Sequence, residues 1–358
     1  MIINYLLVMI LIVFVVVYNK YQIEFFSSKD DLKVERPWVQ LYDDKGNKLN
    51  VLLLSRPFFQ SGDAETYKNK IKGKFNILGI SSYQEFPNQP YNPGDGYNSD
   101  NKYNYNKWVK MCKGWLHCFK NPDDYIPSKM KKMLLSESDF IDCQIHKENK
   151  NIKKKYDFIY VCHRDNLKDC SKTEWVAFNK NLELAEKCIK ILCTKHNLKG
   201  LLIGREGCKL PGCTDKMIKT TKKLDYYELL KKYDESKIIF LPNIHDASPR
   251  VLTEALAHNT RCLVNENLVG GWKYVNSQTG EFFKDETDFE EKINKILDNY
   301  DSYSPRKFFI DNYSVEKSGK KLKDFVYEIF GDKVNIPKGD VNYITPEFPK
   351  ESWVSCEI

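Results

Sequence analysis

Two carboxylates frame the most chemically suggestive stretch of the chain, Asp246-Ala-Ser-Pro-Arg-Val-Leu-Thr-Glu254-Ala-Leu-Ala. Asp246 falls in a loop, and Glu254 falls on the second turn of the helix that the next residues start. Ser248 has the hydroxyl of an N-cap, which accepts from an orphan backbone N–H. Pro249 suits the first helical position, where no N–H is lost. The helix is expected to run to about His258, with Asn259 as a left-handed stop. A buried strand, Lys237-Ile-Ile-Phe-Leu-Pro242, precedes it, and Arg261-Cys-Leu-Val264 follows. Strand, loop, helix and strand make one βαβ unit, and ligands bind outside the carboxyl ends of such strands. The amides of Ser248, Arg250 and Val251 would open the helix, where bare N–H groups and the positive dipole end suit a phosphate. Pro249 has no N–H to offer.

The elements that must position these residues are legible over much of the chain. Asn50–Ser55 and Phe75–Ile80 read as buried strands, with a helix between them over Asp63–Lys72. Residues 19–48 read as a polar stem, and Pro87–Tyr105 as a long loop. Asp95 and Asp100 in that loop lack the ligand spacing of a calcium site. Trp108–Phe119 is expected as an aromatic helix carrying a packed His117, and Ser138–Asp142 as a last strand of this half. A polar, Lys-rich stretch, His146–Lys155, has the composition of an interdomain linker. Beyond it come strands at Tyr156–Cys162, Gly200–Gly204 and Met217–Thr221. Helices follow at Asn181–Cys193, at Asp225–Tyr233 with Asp225 as cap, and at Val315–Phe330. Alternation of this kind implies a parallel, doubly wound α/β sheet. The tail from Pro337 to Ile358 reads as extended.

At these motifs the chain resembles the retaining group 1 glycosyltransferases (glycosyltransferase family 4), which have the GT-B fold. The likeness rests on the acidic pair with seven residues between, on Gly270-Gly271 and on Thr279-Gly280-Glu-Phe-Phe283, and it spans residues 156–330. The first acidic residue is Asp where the family usually has Glu. The resemblance implies two Rossmann-like domains and transfer of a sugar from a nucleotide-sugar donor to an acceptor hydroxyl, with retained configuration. It gives Asp246, Arg164 and Lys180 to catalysis. Asp246 would face the donor sugar, and the two cations would neutralise the leaving diphosphate. It gives Glu254 to the donor ribose, and Gly204, Thr220 and the helix start at Ser248, Arg250 and Val251 to the rest of the donor. His163 and Asn181 stand where the family usually has glycines, and the loop between Arg164 and Lys180 is long. No Asp-x-Asp occurs, so cationic side chains rather than a metal are expected to carry the leaving-group charge, with no cofactor beyond the donor. No Walker loop or Gly-x-Gly-x-x-Gly is present to support another nucleotide-dependent enzyme.

Length and charge set the frame. The 358 residues suggest two domains, and the net charge of +7 comes from scattered Lys that do not interleave with aromatics as in nucleic-acid binders. Eleven cysteines show no C-x-x-C pair and no zinc spacing. Most are expected to be reduced, favouring a cytosolic face, with disulfides expected if the chain is lumenal. Residues 2–18 are apolar apart from Asn4, about 25 Å of helix at ~1.5 Å per residue. They are expected to form a single-pass anchor, with a cleaved signal as alternative, and the side of the membrane is open. The expected organisation is an anchor or signal over 1–21, a shortened acceptor-side domain over 22–150, a nucleotide-sugar domain over 151–336 and a tail over 337–358. The acceptor would be a glycan, lipid or protein. The competing reading is a membrane-tethered, non-catalytic binding or scaffold protein on the same fold.

Overall fold

The computed structural model describes residues 34–58, 61–88, 105–142, 145–164, 170–172 and 174–347. The expected hydrophobic segment at 2–18 lies outside the described residues. Among the described residues no helix is long and apolar enough to cross a membrane.

The first lobe runs β1 (Trp38–Asp43), β2 (Lys48–Leu54), α1 (Ser61–Thr66, continued by a wider π turn Tyr67–Ile71), β3 (Asn76–Ile80), α2 (Tyr105–Met111), β4 (Trp115–His117) and β5 (Lys132–Leu134). The second runs β6 (Tyr156–Val161), α3 (Trp175–Asn179), α4 (Leu182–Thr194), β7 (Gly200–Ile203), β8 (Ile218–Thr221), α5 (Tyr226–Asp234), β9 (Ser236–Leu241), α6 (Arg250–Ala257), β10 (Arg261–Asn265), β11 (Gly280–Phe283) and α7 (Phe289–Asp298). Then come α8 (Pro305–Asn312), α9 (Val315–Phe330) and β12 (Ile344–Glu347).

The second sheet is parallel throughout, in the order β11-β10-β9-β6-β7-β8. This is a doubly wound sheet whose chain reverses direction of travel between β6 and β9. Such a switch point leaves a crevice at the carboxyl ends of those two strands. Asp225 caps α5 as expected, its carboxylate accepting from the Glu228 amide at 2.8 Å. Asn259 is left-handed, with φ of 58°. Apolar side chains alternate to the two faces of the sheet and fill separate cores, one with Tyr160, Ile189 and Phe240, the other with Ile159, Leu241 and Leu256.

The first sheet has the order β12-β1-β2-β3-β4-β5, parallel from β2 to β5 and antiparallel at β1 and β12. Several expectations are corrected here. Part of the supposed polar stem is β1, which pairs with β2. The expected helix over Trp108–Phe119 ends at Met111, and Trp115–His117 is a strand. Trp115 lies against Gly79, where a Cβ would overlap its ring, and its indole N–H donates to Ser81 Oγ at 2.9 Å. That packing needs an extended backbone. Ser138–Asp142 is no strand; Glu137–Asp139 forms a 3-10 turn with a capping box from Ser136.

The chain closes on itself. α9 packs its Leu322, Phe325 and Val326 on the core of the first sheet, with Leu78 and Leu116, although it follows the second lobe in sequence. The tail then pairs as β12 with β1, placing Ile344 opposite Asp43. Replacing Leu322, which is fully buried, with Ala is expected to cost about 2–5 kcal/mol. Denaturant unfolding of the purified protein measures this, and a loss below the bottom of that range would deny that α9 is part of the first core.

Candidate active site

Asp246 lies in the loop after β9, at the switch point. Its Oδ2 accepts from Lys180 Nζ at 2.7 Å and from Asn243 Nδ2 at 2.9 Å. Burial pushes its pKa up, but the Lys180 ammonium, the Asn243 amide and the Ser248 backbone N–H outweigh burial and hold it below the usual carboxylate range. Gly270 closes the loop by donating its N–H to Asp246 O at 3.0 Å, in a space where the backbone of Ala247 leaves no room for a Cβ. Lys180 follows α3 and precedes α4. Asn181, in the place of the family's glycine, adopts φ of 51° and donates from Nδ2 to Pro242 O at 3.1 Å. Asn tolerates the left-handed region that glycine would supply, so this departure leaves the backbone path intact.

The other expected residues are placed differently. Arg164 lies beyond the end of β6, and its Nη1 reaches Cys208 Sγ at 3.8 Å. Cys208 is bonded to Cys170, and Cys193 to Cys213. These four cysteines overturn the expectation of the reduced state for them. The loop after β7 turns back through Gly207 and Gly212, both with positive φ, and so carries Cys208 and Cys213 to partners distant in sequence. Cys112, Cys118, Cys162, Cys188 and Cys262 are buried thiols. Glu254 is buried on α6 and accepts from Tyr233 OH at 3.1 Å. Burial raises its pKa, only partly offset by the Arg250 charge and the Tyr233 hydroxyl. Gly204 and Gly207 take φ of 95° and 76°, and the Gly207 amide donates to Thr220 Oγ1 at 3.1 Å.

The start of α6 also differs. The helix begins at Arg250, with Pro249 as its cap. The Ser248 amide serves Asp246, and the Arg250 amide donates to Ser248 O at 2.9 Å. The Arg250 amide is thus engaged within the loop. Ser248 Oγ is no cap either. It accepts from the Ser138 amide at 2.9 Å and lies 2.7 Å from Ser138 Oγ, in the first lobe.

Contacts between the lobes surround the Lys180–Asp246 pair. Glu85 Oε1 lies 2.9 Å from His245 Nδ1, and Gln84 Nε2 donates to Asn179 Oδ1 at 3.0 Å. Tyr83 stacks on Trp175, with ring centres 6.1 Å apart. Asp139, wholly buried, accepts from Lys273 Nζ at 2.6 Å and Tyr274 OH at 2.7 Å. His117, at the carboxyl end of β4, is buried, and its Nδ1 has no hydrogen-bond partner among the described residues. Burial, then the nearby Lys273 and Lys132 charges, lower its pKa to about 4. Sequence reasoning left this lobe's site residues unassigned. The available signal was position: Glu85 and His117 follow or end parallel strands on the edge that faces a crevice.

Comparison with known proteins follows from this geometry. No family model matches the chain, and no curated protein matches it in sequence. Solved structures do match in fold. Sucrose-phosphate synthase from Thermosynechococcus elongatus superposes with a TM-score of 0.56 at 10% identity, over 74% of this chain and 71% of that one. A glycosyltransferase from Rickettsia africae gives 0.55 at 15% identity, over 79% and 77%. Anabaena HepE, in complex with UDP, gives 0.54 at 8% identity, over 75% of each. The chain has the two-lobed GT-B fold of these glycosyltransferases.

Two outcomes follow. Replacing Lys273 with Met removes the cation from the buried Asp139 carboxylate and is expected to cost about 3–5 kcal/mol, read by denaturant unfolding; a neutral effect would mean that the Lys273–Asp139 pair does not hold the lobes together. His117 is depressed from its ordinary ~6.5 to about 4. Its neutral form therefore contributes stability above pH ~6.5 that is lost as pH falls toward about 4. The melting temperature of wild type should drop across that window more steeply than that of His117→Phe. Equal slopes would contradict the assignment.

Proposed function

We propose that the chain is a glycosyltransferase that moves a sugar from a nucleotide-sugar donor to an acceptor hydroxyl. The observation that carries this reading is the Lys180–Asp246 pair, 2.7 Å apart at the switch point of the second sheet. In the reaction the bond from the anomeric carbon to the diphosphate oxygen breaks, and a bond to the acceptor oxygen forms. Negative charge grows on the leaving diphosphate, and a fixed cation stabilises it most where water is excluded. Lys180 supplies that cation, and Arg164 joins when its guanidinium turns from Cys208. Asp246 steadies the donor sugar, and Glu254 takes the ribose hydroxyls. By resemblance the configuration is retained, a donor phosphate oxygen takes the acceptor proton, and no metal is needed. The acceptor, a glycan, lipid or protein, enters between the lobes past Glu85 and His117. Residues 1–21 tether the enzyme to a membrane.

One observation favours the scaffold reading. Arg164 and Glu254 are bonded to Cys208 and Tyr233 rather than gathered with Lys180. Turnover separates the two. Purified protein should hydrolyse or transfer from at least one nucleotide sugar, and Lys180→Met should lower kcat by about 10²–10³ with the fold intact by circular dichroism. Glu254→Gln should weaken donor use with less effect on kcat. A wild-type protein inert toward every donor tried, or a Lys180→Met variant with unchanged turnover, would remove the enzymatic reading.

A further inference from the structure

About half of the second lobe's lysines pair with carboxylates, as in Lys187–Glu286, Lys195–Glu290, Lys237–Asp157 and Lys295–Glu281. One face of the first lobe gathers exposed lysines at alternate positions. The π turn that continues α1 and the bend after it carry Lys68, Lys70, Lys72 and Lys74, all exposed, with Ile71 buried beneath them. α2 adds exposed Lys107 and Lys110. The two elements are neighbours through Phe58, whose ring lies 6.3 Å from Tyr67 and 5.2 Å from Lys107 Nζ. Among the described residues no carboxylate pairs with Lys68, Lys70, Lys72, Lys74 or Lys110. The carboxylates on α1 are Asp63, which binds Arg56 at 3.0 Å, and exposed Glu65, three residues before Lys68. Phe58 and Tyr67 are only half-buried beside the cations. Aromatic rings next to lysines suit the boundary between water and lipid.

We propose that this face docks on an anionic membrane surface. The choice of lipid over another polyanion rests on chain geometry. The chain enters the lobe at Trp38, whose ring stacks on Tyr67 with centres 5.9 Å apart and planes 15° apart. The apolar segment 2–18 is joined to Arg36 by the 17 residues 19–35, which span at most about 60 Å when fully extended. A bilayer holding that segment is therefore within reach of the lobe that bears the lysines. Clustered lysines near a negative leaflet are drawn to it, and the attraction decays within a Debye length. Docking would turn this face of the first lobe toward the bilayer and restrict how the tethered enzyme meets its acceptor. The inference rests on the tether proposed for residues 1–21 and not on the sugar-transfer reading, and retained binding to neutral vesicles reports the tether separately.

The test uses the full chain diluted from mild detergent into vesicles, either of phosphatidylcholine alone or with roughly a third phosphatidylserine, followed by sedimentation. Wild type should partition at least about tenfold more strongly to the anionic vesicles at low salt, and high salt should remove the difference. The fourfold variant Lys68→Glu, Lys70→Glu, Lys72→Glu, Lys74→Glu should lose that preference and retain its binding to neutral vesicles. The same four positions changed to Gln guard against a folding defect and should show a reduced preference with an unchanged melting temperature. Equal partition of wild type to both vesicles, or a preference kept by both variants, would overturn the proposal. So would tighter binding of wild type to single-stranded RNA than to the anionic vesicles at matched charge.

Discussion

The contact between Lys180 and Asp246 governs the arrangement of the second lobe's crevice. Drawing a carboxylate partly out of water is costly unless a cation and hydrogen-bond donors meet it, and here the Lys180 ammonium and the Asn243 side-chain amide converge on Oδ2 of half-buried Asp246. Satisfying it fixes the loop between β9 and α6, holds the turn from α3 into α4 at Asn181, and requires Gly270 where the loop closes. The doubly wound order of the sheet is what delivers the two residues to one place, since they are far apart in sequence and meet only at the reversal between β6 and β9.

A second constraint holds the lobes together. Asp139 draws Lys273 and Tyr274 from the second lobe into a buried cluster, and Ser318 of α9 donates to Asp139 O at 2.8 Å. The helix that follows the second lobe thus returns to the first at the same point where the first lobe's last turn reaches the second. Glu85 and His245 add a contact between the lobes next to Asp246 in sequence.

Much of the second lobe is legible in the sequence because most of its strands are short buried runs and β6, β8, β9 and β11 each lead into a helix. The β9–α6–β10 unit, the Asp225 cap and the left-handed Asn259 all follow from local chemistry. What was missed depends on partners distant in the chain. β12 is an edge strand, and its antiparallel pairing with β1 joins residue 40 to residue 347. β4 and β5 are three residues each, too short to show a period. Ser248 has the right residue type for a cap, but a serine from the other lobe claims its hydroxyl. Arg164 is expected by resemblance to face the leaving diphosphate, and the neighbour it meets, Cys208, follows only from the loop after β7 folding back. The apolar segment at 2–18 lies outside the described residues.

The central claim is that the Lys180–Asp246 crevice binds a nucleotide sugar. Thermal unfolding in the presence of a panel of nucleotide sugars tests it most directly, because a ligand bound only by the native state stabilises it, by about 2.7 kcal/mol at a hundredfold excess over Kd. The account predicts that at least one donor raises the melting temperature of wild type by several degrees and that the rise is largely absent in Asp246→Ala/Lys180→Met. A panel without effect on wild type, or a rise equally large in the double variant, would contradict it.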